Sequence, residues 1–224
     1  MAPIEMSDEP KKICCDVIPA GISRYGGADR LLITRIEPAT FRETDTAMDT
    51  RHAVIETRIG DLTLVATDNT LTGLYFPHHW YMPPNSTFGA GVDVAIDELL
   101  SAATAQVTEY LHGERTSFKL STATHGDLFQ ERVWALLNEI PSGTTITYGQ
   151  MAERLGDKSL AQQVGKAVGQ NPLCIIVPCH RVVGKNGKLT GYAGGLKRKQ
   201  FLLDLEKPAE IQAQKPFAGS GTLF

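Results

Sequence analysis

Long apolar runs are missing from this chain. Its 224 residues hold no uninterrupted hydrophobic stretch near the roughly 18 residues of a membrane span, so no membrane association is expected. Residues 1–20 carry Asp8, Glu9, Lys11 and Lys12 and contain no secretory signal core. Cysteine is scarce as well. Cys14, Cys15, Cys174 and Cys179 are the only four, and their spacing suggests neither a disulfide framework nor a Cys-x-x-Cys zinc knuckle. His52, His78 and His79 do not complete a metal set with them, so no catalytic metal is expected. Free thiols fit a reducing, intracellular setting. An overall positive charge is also absent: the net value is −3, which taken alone argues against a nucleic-acid partner.

The distribution of charge says something different. Residues 1–150 hold eleven Lys and Arg against twenty Asp and Glu, whereas residues 151–200 hold nine against two. Such a segment suits a polyanion, because Lys and Arg at phosphates supply most non-specific affinity. A solvated basic face is the alternative, and charge alone does not separate the two. Hydrophobic residues at 42% and charged ones at 21% can build a buried core, in one large domain or two small ones.

Periodicity divides the chain. Residues 1–51 are mixed and polar and read as a poorly ordered extension. From residue 52, "AVIETRI", "LTLVAT" and "LTGLYF" are β-rich runs parted by Gly60-Asp61 and Asp68-Asn69, which predicts a three-stranded antiparallel meander. Ile96, Leu99, Leu100, Ala103, Val107, Tyr110 and Leu111 then recur at helical spacing, with Gly113 as the stop. Residues 52–124 thus form an α/β domain. Residues 125–208 read as all-helical: Asp127 and Gln130 resemble a capping box ahead of Val133, Trp134, Leu137 and Ile140. "YGQMAERLG" and "LAQQVGKAVGQN", joined at Gly156, have the outline of a helix-turn-helix inside the basic segment. Residues 209–224 read as a flexible tail.

One stretch resists a packing explanation. In "IIVPCHRVVG" an apolar run stops at Pro178, and Cys179, His180 and Arg181 follow at once. On a strand, neighbouring side chains point to opposite faces, so Cys179 and His180 could share a cavity only through a tight turn after Pro178. There His180 could take the thiol proton through a water, with an acidic residue orienting the imidazole. The alternative is a packed, inert cysteine.

"IIVPCHRVVG", with Asn171-Pro172 before it and "GYAGG" after it, resembles the O6-alkylguanine-DNA alkyltransferases over roughly residues 52–208. The resemblance implies a ribonuclease H-like α/β domain followed by a helix-turn-helix, winged-helix-like domain. It implies direct, irreversible transfer of an alkyl group from O6 of guanine, and from O4 of thymine, in double-stranded DNA to Cys179. The target base is flipped from the stack, the helix pair sits in the minor groove, and each protein acts once, as a monomer without cofactor. The setting would be the bacterial cytoplasm at the nucleoid, or the nucleus in a eukaryote. By the same resemblance His180 is the base and Glu206 orients it. Asn171 ties the helix pair to the active-site turn, and Tyr148 donates toward the guanine and helps rotate its phosphate. Val182, Tyr192, Ala193 and Gly194 line the base pocket, while Tyr148, Gln162, Gln163, Lys166 and Lys185 face DNA. Small residues at 161, 165 and 167 would let the second helix approach the groove. Taken one at a time, Tyr148 could merely start a helix, Glu206 could be a solvated helix-end carboxylate, and Asn171 a C-cap.

Gln162 departs from the family, which carries an arginine there, and Gln163 follows where a small residue is usual. Three rivals remain. A related group binds alkylated guanine without repairing it but has tryptophan in place of Cys179. A cysteine hydrolase would need a histidine brought in from a distant segment. A fused zinc-dependent regulator would need four cysteine ligands, which Cys14 and Cys15 cannot supply.

Overall fold

The computed structural model describes residues 49–207, so the expected tail and nearly all of the expected extension lie outside the described residues. Thr50 and Arg51, read as part of that extension, instead open the first strand. Strands β1 (Thr50–Ile55), β2 (Leu62–Thr67) and β3 (Thr70–Tyr75) form the expected antiparallel meander. A fourth, two-residue strand β4 (Ala90–Gly91) runs parallel to β1 and gives the order β3-β2-β1-β4. Alternation along β2 sends Leu62, Leu64 and Ala66 into the main core, while Val65 on the other face packs with Tyr75 and Phe88.

Helix α1 (Glu98–Leu111) starts where the Asp97 carboxylate accepts from Leu100 N at 2.9 Å. It buries Leu100, Ala103, Val107, Tyr110 and Leu111 and ends before Gly113, whose φ of 80° is the left-handed stop that favours glycine. Ile96, expected on that apolar face, belongs to a preceding 3-10 turn and is 83% exposed.

The second half is helical, as expected, except for a two-residue parallel pair, β5 (Ile146–Thr147) with β6 (Val182–Val183). Capping boxes open α2 (Leu128–Asn138) at Asp127/Gln130 and α3 (Tyr148–Arg154) at Thr147/Gln150. Gly156 and a 3-10 turn lead into α4 (Ala161–Gly169), which buries Val164, Ala167 and Val168. Trp134 Nε1 donates to Ala167 O at 2.9 Å, locking α2 onto α4. The last helix is α5 (Leu196–Leu205).

The edge of β3 joins the two halves. Leu74 N donates to Pro172 O at 2.8 Å and Cys174 N to Leu74 O at 3.2 Å, while Leu71 exchanges hydrogen bonds with Ser121 and Ala123. An edge that would otherwise invite pairing is thereby covered, and the segment leading to Cys179 is anchored to the sheet. Among the described residues, no helix is long and apolar enough to cross a membrane.

Candidate active site

Two γ-turns carry the chain from the sheet to Cys179. Ile176 N donates to Cys174 O at 2.9 Å around Ile175, whose φ is 74°. Cys179 N donates to Val177 O at 2.8 Å around Pro178, at φ −80° and ψ 62°. A 3-10 turn, Cys179–Arg181, follows, so the residues are not extended and their side chains can converge. Positive φ is costly for a β-branched residue and persists only where its surroundings fix it. Asn171 does much of the fixing. It is fully buried just past α4, its Nδ2 donates to Val177 O at 2.8 Å, and its Oδ1 accepts from Leu173 N at 3.0 Å.

Glu206, at the end of α5, has a side chain only 2% exposed and gathers its partners from both halves of the fold. Arg181 grips it with two nitrogens, NH2 to Oε1 at 2.6 Å and Nε to Oε2 at 2.9 Å. Tyr110 donates to Oε1 at 2.7 Å, and Gly143 N donates to Oε2 at 3.2 Å. His180 Nε2 lies 3.2 Å from Oε1. Burial alone would raise the carboxyl, but His180, Arg181 and Tyr110 outweigh it and hold Glu206 well below the usual carboxylate range. Burial draws the His180 imidazole down despite Glu206. Arg181 already supplies the counter-charge, so His180 is neutral and its contact with Glu206 is a hydrogen bond rather than an ion pair. An ionised carboxylate can only accept, which puts the ring proton on Nε2. Nδ1 then keeps its lone pair, buried and without a hydrogen-bond partner among the described residues.

Cys179 is 3% exposed. Its thiol is lowered, first by the neighbouring Cys174 side chain, with the Asn171 amide and the Lys199 charge adding to this against the cost of burial. Lys199 is fully buried and donates to Thr190 O at 2.9 Å and Gly191 O at 3.1 Å; burial pulls it down to about 8. Tyr148, half-buried at the start of α3, points its hydroxyl to Thr190 O at 3.3 Å. Tyr192 and Ala193 are buried, and the Tyr192 hydroxyl has no partner among the described residues. Gly194 must be glycine, since a Cβ there would sit 2.5 Å from the Phe76 ring. Val182 is fully buried behind the 3-10 turn.

Gln162, Gln163 and Lys166 are exposed on α4, as is Lys185 beyond β6. Ala167 is not on that face; it is 2% exposed and packs inward, contrary to the expected stripe of small residues. Gly165 and Ala161 are partly buried, Gly165 beside the Tyr148 ring. The basic segment is also less basic at the surface than its count implies. Arg181 and Lys199 are spent inside, Arg198 donates to Ile59 O and Gly194 O, and Lys158 pairs with Glu153.

Several members of the site were not singled out by the sequence reading. Tyr110 was read only as a core position of α1, although a tyrosine on an apolar stripe signals a buried hydroxyl that needs a partner. Arg181 and Lys199 count toward the basic segment, and nothing in the sequence marks either as buried against a partner.

A buried cysteine with a lowered thiol, a histidine next to it and a helix pair joined by a turn stand in one fold, an arrangement that suits a thiol nucleophile on a nucleic-acid-binding scaffold. Comparison with known proteins narrows the class. Residues 50–124 match the ribonuclease-like domain, and residues 128–208 the DNA binding domain, of 6-O-methylguanine DNA methyltransferase. A methylated-DNA–protein-cysteine methyltransferase of Mycolicibacterium paratuberculosis is 42% identical over 70% of this chain and 92% of its own length. The inducible enzyme of that name from Bacillus subtilis is 39% identical over 66% and 87%. The crystal structure of Mycobacterium tuberculosis OGT in complex with DNA aligns with a TM-score of 0.62 and 38% identity, over 72% of this chain and 97% of that one. The chain belongs to the methylated-DNA–protein-cysteine methyltransferase family.

Proposed function

We propose that this protein repairs alkylated double-stranded DNA by moving the alkyl group from O6 of guanine, and from O4 of thymine, to Cys179, once per molecule. The observation that carries the reading is the orientation of His180. Glu206, itself held by Arg181 and Tyr110, fixes the ring proton on Nε2 and leaves Nδ1 able to accept. The Cys179 proton passes through a water to Nδ1, and the thiolate attacks the alkyl carbon. The S–C bond forms as the C–O6 bond breaks, the electron pair leaves on the base, and the base recovers a proton to become ordinary guanine. Nothing in the site can cleave the thioether, so turnover ends there. Soft sulfur suits displacement at carbon, and no step calls for a cofactor.

Reaching a base inside a duplex requires flipping it out, at a cost of about a few kcal/mol. In this reading α4 enters the minor groove with Gln162, Gln163 and Lys166, Lys185 contacts the backbone, and Tyr148 guides the flipped nucleotide. Val182, Tyr192, Ala193 and Gly194 receive the base beside Cys179. The unpaired Tyr192 hydroxyl and the backbone of residues 193–194 offer polar groups for its edge.

Mass spectrometry after mixing with DNA containing O6-methylguanine tests this. One methylene gained on Cys179, in one equivalent per protein and with no further release, is the expected result. Cys179→Ser abolishes transfer while leaving DNA affinity within about threefold, because its sulfur is buried away from the exposed face of α4. Several alkyl groups removed per molecule, or stoichiometric transfer in the serine variant, would overturn the assignment.

A further inference from the structure

Helix α5 opens with Lys197, Arg198 and Lys199 in a first turn without an acidic residue, where the helix dipole disfavours positive charge. Two of the three are offset by carbonyls of the loop that leads into the helix. Lys199 donates to Thr190 O and Gly191 O at the start of that loop, and Arg198 Nη1 donates to Gly194 O at 3.0 Å near its end. The loop has little stiffness of its own. Gly191, Gly194 and Gly195 lie in it, and Gly191 and Gly195 take φ values of 43° and 86°. A segment so free keeps one shape only where its surroundings fix it.

Arg198 also ties the loop to the first half of the fold. Its Nε donates to Ile59 O at 2.6 Å, across 139 residues, so one guanidinium spans two backbone carbonyls. Ile59 is fully buried between β1 and β2. Its neighbour Gly60, at φ 94°, leaves room for the guanidinium, since a Cβ there would lie 2.7 Å from Nη2. The Phe76 ring, just past β3, has its centroid 5.3 Å from Arg198 Cζ. The same ring meets Tyr192 edge-on, with 5.7 Å between centroids, and abuts the backbone at Gly194. Arg198 and Phe76 thus back the loop at the residues that line the pocket.

Resting on the reading that Tyr192, Ala193 and Gly194 receive the target base, we propose that Arg198 is a positioning residue that holds this loop in its base-accepting shape by clamping Gly194 O and Ile59 O at once. Both partners are backbone carbonyls, so the clamp acts on the pocket and leaves the thiol chemistry to Cys179 and His180. A planar guanidinium suits the task, because its nitrogens donate in fixed, separate directions; the ammonium of lysine is a single point of charge on a flexible stem. A loose loop must be ordered each time a base enters, whereas a clamped one is ordered beforehand. That difference strengthens binding without altering the reaction step. The first half of the fold thereby takes part in holding the substrate, through Ile59 and Phe76.

Hydrogen exchange in the full chain reads the clamp without any substrate. Arg198→Met should speed exchange in residues 190–195 about tenfold and leave the α2 peptide unchanged. Transfer from free O6-benzylguanine reads the positioning role. Its half-saturating concentration should rise about tenfold, while the saturating rate and iodoacetamide labelling of Cys179 stay within about twofold. Arg198→Lys keeps the charge but not the fork, and should leave a rise of about threefold. Should Arg198→Met not fold, Gly60→Ala displaces the guanidinium from the other side, with the same expected split. Unchanged exchange in the loop would overturn the clamp. Faster exchange with an unchanged half-saturating concentration would leave Arg198 as structural support only and overturn the positioning role. Full rescue by lysine, or labelling that falls in step with transfer, would do the same. A wild type that takes no benzyl group, with the exchange effect intact, would instead remove the repair reading and the positioning role with it.

Discussion

Glu206 and the polar side chains along α4 belong to the same half of the molecule but are satisfied in opposite ways. Glu206 receives hydrogen bonds from Tyr110, Gly143 N, His180 and Arg181, with donors drawn from α1, the turn after α2 and the active-site turn. Gln162, Gln163 and Lys166 stand exposed, and among the described residues their side chains bond to no other residue. A buried carboxylate without partners would be costly, so the fold itself must complete the first region. The second region has no such partners among the described residues; under the proposed function, duplex DNA supplies them. Chemistry here is preorganised, whereas recognition waits for its partner. Changes in the two regions should therefore fail differently, the first in stability and rate together, the second in binding alone.

Glu206→Gln should give the larger effect. It leaves Arg181 as a buried cation with half its partner gone, which costs about 3–5 kcal/mol in chemical denaturation. His180 loses the anion that sets its tautomer, and transfer should fall about a hundredfold. The pH dependence follows from the sign of the shift. Glu206 is depressed on folding, so its contribution is complete above the unfolded value of about 4.3 and is lost as pH falls toward the folded one. Wild type should lose stability in acid along a slope that Glu206→Gln lacks. Parallel acid slopes in the two proteins would show that another group controls acid unfolding.

On α4 the expected effects are smaller and of another kind. Lys166→Ala with Lys185→Ala should leave the unfolding free energy within about 0.5 kcal/mol, since both side chains are exposed. Affinity for undamaged duplex should drop at low salt, and the dependence of log affinity on log salt should flatten by about one for each phosphate contact removed. Filter binding or fluorescence anisotropy across salt concentrations reads both. An unchanged slope would place the DNA elsewhere and dissolve the contrast between the two regions.

What the sequence made legible follows the same division. Local signals could be read directly: the meander, the Asp127/Gln130 capping box, the Gly113 stop and the helix pair all rest on spacings within a few residues. Cys179 and His180 were marked by polarity at the end of an apolar run. The resemblance pairs Glu206 with His180, but the rest of the network was not legible, because its members are far apart in the chain. Tyr110 meets Glu206 across 96 residues, and Cys174 meets His79 across 95. Counting charges misled for the same reason: Arg181 and Lys199 count as basic residues in the sequence, yet the fold turns both inward. Ala167 is grouped by its size with the residues expected to approach the groove; its position on the helix buries it instead, and its carbonyl accepts from Trp134 Nε1.

Gln162 offers the finest test of the contrast, because it concerns one exposed side chain at a position where the family carries arginine. Flipping a base leaves a gap in the stack and a widowed partner, at a cost of about a few kcal/mol. An inserted side chain offsets part of this by filling the gap and hydrogen-bonding the orphaned base. Glutamine does so with neutral hydrogen bonds and a shorter reach; arginine adds charge and a planar fork of donors. The difference is about 1 kcal/mol, or about fivefold in rate. Free O6-benzylguanine needs no flipping and meets only the pocket around Cys179, so its transfer should not feel the change. Gln162→Arg is therefore expected to speed transfer from duplex DNA about fivefold while leaving the rate with the free base unaltered. Equal changes on both substrates would mean that Gln162 acts through the pocket, and the two regions would no longer be separable. No change on either would pass the role to Gln163 or Lys166, its exposed neighbours on the same helix.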